Sequence, residues 1–367
     1  MWHLFDLAPT AWLLLLMALL ACLPLAWLLR AQRQQSAPQK LAALALLLLV
    51  LTFDLTIFGA FTRLTESGLG CPDWPGCYGT STPLHAADHI SAAQVADPYG
   101  PVTHKKAWIE MVHRYLAGAV GFLIIVQMVW SWLRRRSLPY SPWLPVLTFV
   151  WVCAQGAFGA LTVTMKLFPL IVSLHLLGAL GLLALLQIQS TRWRLQLGST
   201  TVLPLRPALH ALLWGSSLLL LLQIALGAWV STNYAVVACN TWPLCGGQLL
   251  PPADYAQGFT LWRELHQNAD GSYLSLSALL AIHLVHRWVA VPVIVLLGYL
   301  AWQLRATEPK AARWLAFLLV AQFATGLSNV VLGWPLLAAL LHTAGAAAFF
   351  VLLVNLLVRS HKPSAKS

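Results

Sequence analysis

Nine separate stretches of this 367-residue chain are apolar for about twenty residues each, the length that crosses the hydrocarbon of a bilayer. They cover residues 10–29, 41–60, 108–133, 143–163, 168–189, 208–230, 279–302, 314–332 and 336–358. Lipid offers the backbone no hydrogen-bond partners, so each stretch must satisfy its own N–H and C=O groups as a helix. The composition agrees: 59% of the residues are hydrophobic and 9% charged, where a soluble domain carries about a quarter charged. Soluble, disordered, collagen-like and disulfide-scaffold classes are excluded together. The expected fold class is all-α and polytopic. A net charge of +11 then reports topology rather than a nucleic-acid partner, and the partner it implies is the lipid bilayer. The 18 Trp suit the membrane interface.

Lys and Arg orient the chain. Arg30, Arg33, Lys40, Arg134, Arg135, Arg136, Arg192, Arg194, Arg206, Arg305, Lys310, Arg313, Arg359, Lys362 and Lys366 all fall on one side, which the positive-inside rule makes cytoplasmic. The N-terminus and two long polar connections, residues 61–107 and 231–278, are therefore expected outside, and the C-terminus inside. The first segment reads as an anchor rather than a cleaved signal. Asp6 is the one charge before it, and its positive charges follow instead of preceding.

An internal repeat organises the remainder. Gly59-Ala60 matches Gly227-Ala228, Cys71 matches Cys239, Trp74-Pro75 matches Trp242-Pro243 and Cys77 matches Cys245. His113-Arg114 matches His286-Arg287, Gln155 and Gly159 match Gln322 and Gly326, and His175 matches His342. The expected architecture is two tandem four-helix bundles related by a pseudo-twofold along the membrane normal, plus one extra N-terminal helix. Residues 1–40 hold that helix and a linker, 41–190 the first repeat, 191–207 a linker, 208–358 the second repeat and 359–367 a tail.

Four histidines fall inside spans at repeat-related positions: His113, His175, His286 and His342. Each lies a turn or two below the outer end of a helix running inward. Ionisable groups within a membrane mark function, and paired neutral imidazoles at one depth can supply both axial ligands of a haem iron. A lone histidine of this kind would more often be a hydrogen-bonded core residue; two pairs in register favour ligation. Zinc usually asks for further carboxylate or thiolate ligands, and the Cys-x-x-Cys-His of covalent haem is absent from the sequence.

Glu110 precedes His113 by three residues, on one helical face. It is a candidate for acid–base work, against the plainer reading of a carboxylate paired with Lys105, Lys106 or Arg114. Its repeat partner is His283, so the two halves should differ in chemistry. Arg114 and Arg287 could bind haem propionates or reach to the interface. Cys22 and Cys153 read as small hydrophobes. Cys71 with Cys77, and Cys239 with Cys245, lie in the long connections and are expected to form short disulfides in an oxidising space. Each could be a structural staple or a redox-labile bridge; copper binding is a weaker alternative.

The run from Gly59 to Cys77, GAFTRLTESGLGCPDWPGC, followed by Glu110-x-x-His113-Arg114, resembles the haem A synthase family. The second Cys-x5-Cys and His175, His286 and His342 fit the same family, and the resemblance spans residues 41–358. It implies oxidation of a methyl group of haem O to the formyl group of haem A by successive hydroxylations. By that likeness His113 and His175 ligate the substrate haem, Glu110 is the catalytic carboxylate, His286 and His342 ligate a haem b, and Cys71–Cys77 helps to handle the substrate. It also implies haem O synthase as donor, the terminal oxidase assembly machinery as acceptor, a membrane electron acceptor, and a bacterial inner membrane. A homo-oligomer is left open. The helix at 10–29 departs from the eight-span family core.

Two other classes compete. A bis-His di-haem electron-transfer cytochrome b would need no carboxylate beside only one haem. A repeat-built transporter would place its polar groups at the bilayer midplane. A prenyltransferase would need aspartate clusters, and the connections carry none.

Overall fold

The computed structural model describes residues 8–138, 141–268 and 271–361. Asp6, Lys362 and Lys366, used above for orientation, lie outside those residues. Among the described residues the secondary structure is helical, with eleven α-helices and one short 3-10 turn at Ala235–Ala238. In chain order the helices are α1 Ala8–Ala31, α2 Ala37–Leu64, α3 Ala87–Ala96, α4 His104–Leu133, α5 Trp143–Thr164 and α6 Pro169–Gln196. They continue with α7 Pro207–Thr232, α8 Tyr255–Gly258, α9 Leu276–Leu304, α10 Pro309–Val331 and α11 Leu336–Ser360. Nine of these are long and apolar enough to cross a membrane, and they coincide with the nine expected spans. The protein is a multi-pass membrane protein.

The helix starts follow local chemistry. Thr103 accepts from the Lys106 backbone N–H at 3.2 Å and Ser275 from that of Ala278 at 3.2 Å, each satisfying a donor the first turn leaves open. Ser36 and Gln39 form a reciprocal capping box. Pro207 and Pro309 open α7 and α10, where a missing N–H costs nothing. Most starts thus lie a few residues before the apolar run: α4 begins at His104, not Trp108, because Thr103 caps it.

The chain forms two compact units, Met1–Leu167 with Gly181–Ser199, and Phe168–Leu180 with Thr200–Ser367. The division runs through α6, so His175 groups with the second unit, whereas the repeat placed it in the first. The cause is local: the Ser173 hydroxyl lies 3.1 Å from that of Thr232, and Leu170 packs against Trp229 and Ile282. In the first unit α4 packs against α1, α2 and α5. The additional helix α1 also reaches the first long connection, through a cluster of Leu13, Cys71, Cys77, Ile90, Met111 and Tyr115. In the second unit α7, α9, α10 and α11 surround a core that includes Leu213, Leu297, Leu300, Leu315, Phe349 and Leu353. Lipid tails are as apolar as these side chains, so close packing holds the helices together more than water exclusion does.

Candidate functional site

One turn of α4 carries Glu110, His113 and Arg114, and the connection from α2 folds onto it. Gly70 makes the approach possible: a Cβ there would sit 2.5 Å from the Ala107 backbone nitrogen. The Cys71 N–H then donates to Glu110 Oε2 at 2.8 Å. Arg114 Nη2 pairs with Glu110 Oε1, so of the alternative cationic partners the structure selects Arg114. Arg114 Nη1 donates to the carbonyls of Gly76 at 2.6 Å, Asp73 at 2.8 Å and Pro75 at 3.3 Å. Glu110 is 3% exposed and Arg114 9%. In the structure Arg114 thus bonds both Glu110 and the loop, through Nη2 and Nη1.

The loop itself is a tight unit. Cys71 and Cys77 are bonded, with Cα atoms 4.9 Å apart. Asp73 accepts from the Tyr78 N–H at 2.6 Å and the Gly79 N–H at 2.7 Å, and Gly79 takes the positive φ of +71° that the turn requires. Burial, with the Asp73 carboxylate second, holds the Tyr78 phenol above its ordinary value.

The second unit holds a related arrangement in which a histidine takes the place of the acid. Arg287 Nη2 donates to the Cys239 carbonyl at 3.0 Å and Nη1 to that of Thr241 at 2.9 Å, the repeat partners of Cys71 and Asp73. Its Nε donates to His283 Nε2 at 3.1 Å, where Arg114 meets a carboxylate. Arg287, like Arg114, bonds carbonyls of its loop. Cys239 and Cys245 are bonded, while Cys22 and Cys153 are free. This longer connection has a further anchor in Arg263, 2% exposed. It donates to Asn233 Oδ1 at 2.5 Å and the Thr260 carbonyl at 3.1 Å, and burial lowers its pKa from the ordinary arginine value.

Three of the four span histidines share a feature that sequence reasoning missed. A Cβ at Gly59 would lie 3.1 Å from His113 Cε1, one at Gly227 3.0 Å from His286 Cε1, and one at Gly326 3.1 Å from His342 Cε1. Each of these three rings thus rests on a glycine of the neighbouring helix, and any side chain there would displace it. Gly59 and Gly227 stood out as repeat landmarks, and that recurrence was the available signal. Phe58 stacks on His113 with ring centroids 6.1 Å apart. The Gln223 amide donates to the His286 carbonyl at 3.0 Å and the Gln322 amide to the His342 carbonyl at 2.9 Å. The Thr325 hydroxyl lies 3.0 Å from His342 Nδ1.

These residues fit a haem. The imidazoles are half-buried, three are braced by a cradle that a Cβ would fill, and His175 Nδ1 is buried without a hydrogen-bond partner. A haem asks the protein for only two axial ligands. Among the described residues no three His, Cys, Asp or Glu side chains converge as a protein-only metal cage would need.

Comparison with known proteins gives the same family. Residues 42–354 match the COX15-CtaA family model, described as cytochrome oxidase assembly protein. A protein of Shewanella oneidensis named heme A synthase is 38% identical over 315 residues, covering 84% of this chain and 93% of its own. A heme A synthase of Rhodospirillum centenum is 30% identical over 350 residues, covering 88% and 89%. One of Geobacillus kaustophilus is 27% identical over 310 residues, covering 82% and 86%. With the family model spanning most of the chain and its motif residues gathered on α4 and the loop above it, this protein belongs to the haem A synthase family.

Proposed function

We propose that this protein is a haem A synthase, oxidising a ring methyl of haem O to a formyl group by successive hydroxylations. The observation that carries the reading is a chemical difference between two related arrangements. Arg114 and Arg287 share one equivalent loop carbonyl, that of Asp73 and Thr241, yet one pairs with Glu110 and the other with His283. A pure electron carrier has no use for a carboxylate beside only one of its haems.

In this reading His286 and His342 hold a haem b, and His113 and His175 hold the substrate haem by repeat equivalence. The haem supplies the redox chemistry when bound; the protein supplies ligands, orientation and a proton acceptor. Glu110 Oε1 is fixed by Arg114 and Oε2 by the Cys71 N–H. Each two-electron oxidation of the methyl group would release protons as its electrons pass to the membrane acceptor, and Glu110 is the buried carboxylate placed to take one. Arg114 positions that carboxylate and ties it to the Cys71–Cys77 loop, so the disulfide acts on the site through the Cys71 N–H.

The distribution of Lys and Arg supports an N-terminus and both disulfide loops outside and a C-terminus in the cytoplasm, and the bacterial sources of the relatives support a bacterial inner membrane. Haem O synthase would deliver the substrate, a membrane electron acceptor would take the electrons, and the oxidase assembly machinery would receive haem A.

The test is Glu110→Gln, expressed beside a haem O synthase. It keeps the shape of the side chain and its bond from Cys71 but removes the proton acceptor. The expected result is unchanged haem B content with no hydroxylated haem or haem A in the extract. Normal haem A from this variant would remove Glu110 from the chemistry.

A further inference from the structure

Beside the axial histidines the two halves of the sequence differ at a position that bears on the imidazole. In the second unit the Thr325 hydroxyl donates back to the Ala321 carbonyl at 2.7 Å, a helical i−4 bond. With its hydrogen on that bond, the oxygen 3.0 Å from His342 Nδ1 is placed to accept. In that arrangement His342 carries its proton on Nδ1 and presents a bare Nε2 lone pair. An outer hydrogen bond of this kind fixes the tautomer, orients the ring and strengthens the imidazole as a ligand. The Gln322 amide bonded to the His342 carbonyl at 2.9 Å and the Gly326 cradle hold the same residue from two other directions.

At the repeat-equivalent position, 167 residues earlier, stands Phe158. A phenyl ring accepts no such bond, and His175, the repeat partner of His342, has its Nδ1 buried without a partner. The contrast matches what the two haems need. A resident haem b must stay, whereas a substrate haem must leave once its methyl group is oxidised.

We propose that Thr325 is a positioning residue that locks His342 in the Nδ1–H tautomer, so that the haem on His342 is retained. The proposal rests on the haem A synthase reading for the identity of the haem, and on the Thr325–His342 geometry for the residue. Thr325→Val is nearly isosteric and lacks the hydroxyl, while Thr325→Ser keeps it. Removing an outer partner of a metal ligand typically weakens binding about 10- to 100-fold.

The experiment transfers haem from purified protein to excess apomyoglobin and records the midpoint potential of the slowly released haem. Thr325→Val should release that haem at least about tenfold faster, with a raised potential, because a ligand that has lost its acceptor donates less to ferric iron. Thr325→Ser should stay near wild type. If Val and Ser variants both match wild type in release rate and potential, the proposal is overturned. If both lose haem equally, the hydroxyl is not the cause and it is overturned as well. Haem A production, measured on the same preparations, separates this from the parent reading. Normal haem A formation beside an unaltered Val variant sinks Thr325 alone, whereas a wild type that never forms haem A sinks the synthase.

Discussion

Gly227→Ala adds one methyl group to the α7 face on which His286 rests. The new Cβ would lie 3.0 Å from Cε1, 3.6 Å from Nδ1 and 3.8 Å from Nε2 of the imidazole. Carbon atoms prefer roughly 3.5–4.0 Å, so the ring must retreat by about half an ångström or more. That is the tolerance within which a metal ligand has to be held, about 0.5 Å. Packing an extra methyl group into a filled site costs about 1–3 kcal/mol, and at 1.4 kcal/mol per decade this becomes a roughly 5- to 140-fold loss of haem affinity. Alanine is the better helix former, so α7 itself is not weakened. Gly215→Ala is the control: it lies on the same helix, and its Cβ would meet nothing within 4 Å. Haem content by the pyridine haemochrome method and haem transfer to apomyoglobin should both report the loss in Gly227→Ala and none in Gly215→Ala. Wild-type content and release in the Gly227 variant would refute the glycine cradle as what positions His286.

Two further outcomes follow from the first loop. Replacing Cys71 and Cys77 by Ser opens a short cross-linked loop, worth about 2 kcal/mol of chain entropy, so amides of residues 71–80 should exchange about 25-fold faster; unchanged exchange would mean that Arg114 alone holds the loop. The Tyr78 phenol is held above its ordinary 10.0, by burial first and by Asp73 second. The native loop therefore binds that proton more firmly than the unfolded chain does. The resulting stability is present below pH 10 and lost as pH rises through the folded value. Loop protection should fall at strongly alkaline pH in wild type and less in Tyr78→Phe; equal falls in both would contradict the assignment.

Much of this was readable in the sequence, for physical reasons. A span must be apolar along its whole length, so nine helices stand out without any packing information. The repeat offsets put His113 beside Arg114, and His286 beside Arg287, in equivalent places. What the sequence left open were interactions across chain distance. Whether Glu110 meets Lys105, Lys106 or Arg114 depends on rotamers, and the answer came from the loop docking that Gly70 allows. Arg114 and Arg287 were ambiguous because a guanidinium suits a propionate and a ring of loop carbonyls equally well. The glycine cradles showed only as repeated glycines, because a glycine gives no sign of what rests against it. Thr325 was passed over because a threonine in an apolar helix usually bonds only to its own backbone; this one also reaches a histidine on the next helix.

The central claim is that the protein changes one of the haems it binds. It is tested most directly by expressing the chain beside a haem O synthase, purifying it in detergent, and identifying the acid-extracted haems by chromatography and mass. Haem B together with haem O, a hydroxylated haem or haem A is the predicted result. Haem B alone, at about two per chain as two bis-His sites would hold, would contradict the account and leave an electron-transfer cytochrome.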